Sequence, residues 1–509
     1  MLHAYLKRIL QAQVYDVAQE TPVDAAPALS RRLDNHVMLK REDLQPVFSF
    51  KIRGAYNKIV NLTEQQKERG VITASAGNHA QGVALGATGL GISAVIVMPK
   101  TTPEIKVTSV RALGGNVILH GDIFDEAYAH AKHLEQLKGY TFVHPYDDPD
   151  VIAGQGTVGM EIMRQHTGPL EAIFIPVGGG GLIAGVSCYI KYLRPDIKII
   201  GVEPQDSACL HAALAAGERV ILDQVGLFAD GVAVKQIGEE TFRLAREYVD
   251  EVITVTTDEI CAAVKDVFDD TRSICEPAGA LSVAGLKKYV EREKLTGQSL
   301  MAITSGANVN FDRLRHIAER AELGEKREAI FAVTIPERPG SFLQFCDTLG
   351  KRNITEFNYR FASMEAAHVF VGIQTTGMAG EMDAIQQQLH EKGYSVTNLT
   401  DNEMAKLHIR HMVGGPGHSE AGNGVPNEVL FRFEFPERPG ALLQFLIKLG
   451  AKWNISLFHY RNHGAAYGRV LVGLQVPDEE RDVLLRYFHE LGYRHWDESH
   501  NPAYALFLR

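Results

Sequence analysis

Four short stretches carry residues that could do chemistry. The first is SFKIRGAYN, where Lys51 follows Phe48, Ser49 and Phe50 and opens a helical pattern. Most lysines are solvated surface groups. An apolar wall and the positive end of a helix both favour the neutral amine, and a neutral amine is what Schiff-base chemistry needs. The second is IFIPVGGGGLIAGV, an apolar run followed by Gly178, Gly179, Gly180 and Gly181 and then Leu182. Consecutive glycines between a strand and a helix bring main-chain N–H groups and the helix dipole to one point, which suits a phosphate. The bland alternative is a glycine turn that only lets strand and helix pack.

The third stretch is TASAGNHAQGVALG. Ser75 and Gly77 with Asn78 and His79 at a helix start offer main-chain amides, and two polar side chains, to a carboxylate; an ordinary capped helix would look the same. The fourth is ITSGANVNFDRL, where Ser305 ends an apolar strand. A serine there commonly caps a helix, but this one is expected at the same sheet edge as the other loops. The glycine stretch also satisfies GxGxxA through Gly179, Gly181 and Ala184, with Glu203 ending the next strand. A dinucleotide-dependent oxidoreductase is therefore a real competitor.

These loops need elements to position them. Residues 1 to about 325 alternate β-rich runs (SAVIVMPK, IFIPVG, KIIGVEP, SLMAITSG) with helical patterns. That alternation predicts parallel sheets covered by helices, with ligands at the carboxyl ends of the strands. The remainder is a repeat. PERPGSFLQFCDTLGKRNITEFNYR, from Pro336, recurs as PERPGALLQFLIKLGAKWNISLFHYR, from Pro436, with one residue inserted. Each copy reads βαββαβ, a ferredoxin-like module. The expected division is a catalytic region over 1–325, modules over 329–401 and 428–509, and a glycine-rich linker over 402–427.

Taken in order, SFKIRGA, SAGNHAQG, GGGGL and TSGAN resemble the fold-type II pyridoxal-phosphate enzymes, the tryptophan synthase β-like family. Within it, the doubled C-terminal module is similar to the ACT-like pair of the biosynthetic threonine dehydratases. The resemblance implies a fold-type II α/β catalytic region with two α+β ferredoxin-like regulatory modules. It implies that Lys51 holds pyridoxal 5'-phosphate as a Schiff base with Phe50 beside it. Asn78 would meet the ring hydroxyl, and Gly178 to Gly181 with Leu182 would cradle the phosphate. Ser305 would face the pyridine nitrogen, and Ser75, Gly77, Asn78 and His79 would hold the substrate carboxylate. Lys51 would also move the Cα proton. The implied reaction is α,β-elimination of L-threonine, and of L-serine, opening isoleucine synthesis. Isoleucine would inhibit through the repeats and valine would act as a second effector, around Asn353, Tyr359, Asn454 and Tyr460. A homotetramer is implied too. Serine dehydratase, serine racemase and threonine synthase share the catalytic motifs, and an amino-acid sensor with a relict catalytic region is the non-enzymatic alternative.

Composition narrows the classes. The 509 residues are 45% hydrophobic and 22% charged, enough for large cores. A formal charge of −10 without a basic cluster argues against nucleic-acid binding. The 47 glycines exceed the roughly 36 that ordinary usage would give. Five cysteines with no CxxC spacing suggest reduced thiols and a cytoplasmic chain, not a disulfide or zinc framework. No membrane span is expected, since the uncharged stretch 80–99 is broken by glycines. No metal is expected either: His408, His411 and His418 match no standard zinc spacing, and Asp147, Asp148 and Asp150 read as a solvated turn. Glu276 could approach the cofactor or simply start a helix.

Overall fold

The computed structural model describes the chain apart from residues 1, 362–364, 379, 413–424, 437–439, 451, 462–466, 503, 505–507 and 509. It divides into two compact units, Met1–Gly324 and Glu325–Arg509.

The first unit is built from two sheets. Strands β1 (Val23–Ala25), β2 (His36–Arg41), β3 (Val71–Ala74), β4 (Ala94–Met98), β5 (Asn116–Leu119), β6 (Thr141–Phe142), β7 (Ala172–Pro176), β8 (Lys198–Pro204), β9 (Glu251–Val255) and β10 (Ser299–Thr304) follow in chain order. A four-stranded parallel sheet, β5-β4-β3-β6, is inserted between β2 and β7 of a six-stranded sheet ordered β1-β2-β10-β7-β8-β9. Only β1 runs antiparallel to its neighbour. AVIVM in β4 and AIFIP in β7 are buried at every position, because helices cover both faces of these sheets. The expected α/β class with parallel sheets is what the chain forms.

The helices cross closely, and glycine permits it. A Cβ on Gly154 would lie 2.6 Å from the Arg53 carbonyl, and one on Gly185 would lie 2.4 Å from the Ile152 carbonyl. The helix Lys51–Val60 is thereby seated on the helix Pro149–Gln165. Beneath that seat, fully buried Arg53 binds Glu42 (Nε to Oε2, 2.7 Å) and Glu161 (Nη1 to Oε1, 2.6 Å), and buried Lys40 reaches Glu161 Oε2 at 2.6 Å.

The second unit repeats one motif. Strands β11 (Glu328–Pro336), β12 (Ile354–Arg360), β13 (Ala366–Gln374) and β14 (Ser395–Asn398) are answered by β15 (Glu428–Pro436), β16 (Asn454–Arg461), β17 (Tyr467–Gln475) and β18 (Arg494–Asp497). Together they make one eight-stranded sheet, β14-β11-β13-β12-β16-β17-β15-β18. The modules join where β12 pairs antiparallel with β16. Asn358 faces His459 across that seam, and these are equivalent positions of the repeat. Two copies of one sequence paired antiparallel at equivalent residues are related by a pseudo-twofold axis. Phe342, Phe345, Phe357, Phe445 and Phe458 fill the core beside the seam. Glu403–Leu407 and Ile409–His411, inside the stretch expected as a linker, are helical, and buried Arg410 pairs there with Glu328 (3.4 Å) and Glu356 (2.9 Å). Residues 413–424 of that stretch, His418 included, lie outside the described residues.

Candidate active site

The lysine loop and the serine loop are stitched together by main chain. Phe50 N–H donates to Ser305 O at 3.2 Å, and Ala307 N–H donates to Phe48 O at 2.8 Å. Lys51 begins its helix and its Nζ donates to Pro145 O at 2.9 Å, with the Phe50 ring 5.3 Å away. Burial pushes the Lys51 amine down to about 8, against a smaller opposing pull from the Glu276 charge. The apolar setting expected from the sequence is therefore present.

The residue after Pro145 leads to the glycines. Tyr146 packs so tightly that a Cβ on Gly179 would sit 2.1 Å from its ring, and one on Gly181 would sit 3.1 Å from its main chain. Gly180 has φ +90°, a left-handed value that favours glycine. Gly178 O accepts from Cys209 Sγ at 3.4 Å, and Gly179 O accepts from Thr241 Oγ1 at 2.7 Å. In a trans peptide the N–H points opposite to the C=O. The N–H groups of Gly179 and Gly180 therefore face away from Cys209 and Thr241. The helix Gly181–Leu193 adds its first-turn amides, since its first internal bond comes from Ala184 N–H to Gly180 O. Leu182 is buried behind the loop. This arrangement can hold a dianionic phosphate.

At the end of β3, Ser75 Oγ accepts from Gly77 N–H at 3.3 Å, and the helix Asn78–Gly89 follows. The His79 imidazole is not the carboxylate donor the sequence suggested. It is buried, its Nε2 lies 2.9 Å from Val143 O, and burial pushes it down to about 3. The ring is thus neutral and donates inward, so this position can offer a carboxylate only its main-chain amide. Asn78 is placed differently. Its Nδ2 donates to Glu276 Oε1 at 2.6 Å, and its Oδ1 accepts from Asn308 Nδ2 at 2.6 Å. Burial, and Asp230 nearby, push buried Glu276 up to about 7. Ser305 is buried and caps no helix; its Oγ donates to Ala278 O at 3.4 Å.

Tyr146 and Asn308 escaped the sequence reading. Asn308 stands three residues past Ser305, close enough to have been suspected, whereas nothing around Tyr146 announces its contact with Gly179.

The competing signals are accounted for locally. Glu203, which a dinucleotide site would turn toward a ribose, is buried and accepts from the N–H groups of Leu210 and His211, both at 2.8 Å. The three aspartates are not a free solvated turn. Asp148 caps the helix Pro149–Gln165, Asp147 receives the first amides of the helix Glu239–Tyr248, and Asp150 pairs with Arg8. Among the described residues no cluster of His, Cys, Asp and Glu is arranged to hold a metal ion, and no helix is long and apolar enough to cross a membrane.

In the second unit the four suspected effector residues regroup across the modules. Tyr359 of the first module and Asn454 of the second both bond Glu337, the latter Nδ2 to Oε1 at 2.9 Å. Asn353 and Tyr460 line a narrow pocket with Arg352, Cys346, Leu442 and Leu443. The pseudo-twofold axis exchanges these two places.

Comparison with known proteins gives the same picture over the whole length. Residues 14–306 match the pyridoxal-phosphate-dependent enzyme family, and 319–409 and 419–508 match the C-terminal regulatory domain of threonine dehydratase. The chain is 58% identical over 509 residues to the L-threonine dehydratase biosynthetic IlvA of Burkholderia multivorans, covering 99% of each. It is 57% identical over 505 residues to that of Escherichia coli, covering 99% of this chain and 97% of the other. Among solved structures, the processed form of threonine deaminase isoform 2 from Solanum lycopersicum aligns with a TM-score of 0.62 at 52% identity, covering 63% of this chain and 88% of that one. Maize serine racemase aligns with 0.58 at 32% identity, covering 61% and 95%. A catalytic half of one enzyme class, joined in one chain to the doubled regulatory domain of one activity, leaves a single placement: the chain belongs to the pyridoxal-phosphate-dependent enzyme family, in its biosynthetic threonine dehydratase branch.

Proposed function

We infer that this enzyme converts L-threonine to 2-oxobutanoate and ammonia, the first committed step of isoleucine synthesis, and L-serine to pyruvate and ammonia. The observation that carries the site assignment is the meeting of a half-buried Lys51, held near 8, with the glycine loop across Pro145 and Tyr146.

The residues present fit pyridoxal phosphate. The loop amides and the helix start match its phosphate, the Lys51 amine matches its aldehyde, and Gly179 lies too close to the Tyr146 ring for a Cβ. When bound, the cofactor supplies the electron sink for a carbanion at the substrate Cα. The chain supplies the rest. Lys51, about half neutral at pH 8, would take the Cα proton. The main-chain amides of the Ser75–His79 loop left free by the fold would hold the substrate carboxylate, and Asn78 would contact the cofactor ring. Ser305 would meet the pyridine nitrogen with a hydroxyl, which has no charge to keep a proton there and would favour β-elimination over transamination.

Residues 1–325 carry the chemistry in this reading, and 329–401 and 428–509 sense isoleucine, with valine opposing it, in the paired places around Tyr359 with Asn454 and Tyr460 with Asn353. A cytoplasmic homotetramer is the assembly we propose. Product analysis on threonine and serine, each with and without isoleucine, tests the whole reading. Keto acid from both substrates, with threonine turnover suppressed by isoleucine, is expected. D-serine as the main product, or inhibition surviving in a chain ended at Gly324, would overturn the assignment of activity or of regulation respectively.

A further inference from the structure

Glu276 occupies the N-cap position of the helix Pro277–Glu293, where an acidic side chain ordinarily folds back onto the free amides of the first turn. It makes no such bond. The carboxylate is buried beside the serine loop. Its own N–H donates to Gly306 O at 3.1 Å, and a Cβ on Gly306 would lie only 2.4 Å from Oε1. That seat delivers Oε1 to Asn78 Nδ2 at 2.6 Å.

The far end of the Asn78 amide is fixed as well. Asn308 Nδ2 donates to Val47 O at 2.8 Å and to Asn78 Oδ1 at 2.6 Å. A main-chain carbonyl only accepts, so the nitrogen of Asn308 must face Val47, and the oxygen of Asn78 must then face Asn308. The nitrogen of Asn78 is left toward Glu276, which takes one of its two hydrogens. One N–H remains uncommitted to this chain of bonds.

We propose that Glu276 is a positioning residue of the cofactor site, which with Asn308 sets the Asn78 amide so that its remaining N–H is offered to the ring of bound pyridoxal phosphate. The proposal rests on the reading of Asn78 as a cofactor contact.

The test titrates apoenzyme with pyridoxal phosphate and records visible circular dichroism of the bound cofactor for Asn78→Ala, Glu276→Met, Glu276→Gln and the Asn78→Ala/Glu276→Met pair. Glu276→Met keeps the side-chain length but accepts no bond; it should weaken affinity about 10-fold, the loss of one buried hydrogen bond. Glu276→Gln still presents an oxygen to Asn78 and should stay within about 3-fold of the parent. The double variant should bind no more weakly than Asn78→Ala alone, since the two residues act through one contact. Additive losses, or an unchanged affinity and dichroism in Glu276→Met, overturn the proposal while leaving Asn78 in place. A silent Asn78→Ala removes the underlying reading and the proposal with it. Should Glu276→Met fail to fold, Asn308→Ala loosens the other end of the same amide, and an unchanged affinity there overturns the proposal equally.

Discussion

The Lys51 amine gives the sharpest test, because burial and chemistry meet at one titration. An exposed lysine titrates near 10.5, and burial brings this one to about 8. At pH 7.5 an amine of ordinary value is roughly 0.1% neutral, whereas one near 8 is about one quarter neutral, a gain of roughly 200-fold in nucleophile. Covalent capture of added pyridoxal phosphate by the apoenzyme, followed by absorbance in a rapid-mixing experiment, reads that fraction directly. A simple alkylamine run in parallel cancels the aldehyde's own titration. Scaled by the rate per neutral alkylamine, capture should rise about tenfold per pH unit and level off near pH 8. Substituting Glu276→Gln should move the midpoint lower, because the Glu276 charge is what pulls Lys51 upward. Linkage gives a second reading with its own sign. A folded value below the unfolded one penalises folding below about pH 8, and that penalty is relieved as pH rises toward 10.5, so this site adds stability across that interval. A capture profile still climbing at pH 10 would refute both the burial argument and the assignment of Lys51.

Ser305→Asp should shift products from keto acid toward transamination or abolish turnover, since a carboxylate would hold a proton on the pyridine nitrogen; unchanged product ratios would contradict this. Arg53→Met leaves Glu42 and Glu161 buried without their guanidinium and should cost about 3–5 kcal/mol in thermal or urea unfolding of the holoenzyme; a loss below about 1 kcal/mol would show that Lys40 alone suffices. Gly179→Ala forces the Tyr146 ring to retreat by more than an ångström, an overpacking cost of about 1–3 kcal/mol, and should weaken cofactor binding about tenfold or more in an apoenzyme titration.

The α/β class, the doubled module and the four chemical stretches were legible because each is a local pattern. Buried parallel strands read as short apolar runs, a loop that approaches a phosphate reads as consecutive glycines, and a repeat is its own announcement. The pairing of β12 with β16 was half legible: two equal modules favour a twofold arrangement, but only packing chose this edge. The glycine surplus also meant more than loops. Gly54, Gly154, Gly156 and Gly185 sit where helices cross, and a helix crossing leaves no mark in linear sequence.

Side-chain allegiance lay beyond the sequence altogether. His79 looked like a carboxylate ligand and is spent on Val143, Glu203 looked like a ribose ligand and receives two amides of its own chain, and Asp147 looked free and caps a distant helix. Glu276, which read equally as a helix start or a neighbour of the cofactor, begins a helix and also holds Asn78 across 198 positions of sequence. The types and order of residues therefore determined which chemistry this chain carries and roughly where its loops fall. Tertiary structure alone decided which polar groups face the cofactor and which are consumed by the fold, because a hydrogen bond between groups far apart in sequence exists only once packing has brought donor and acceptor within about 3 Å.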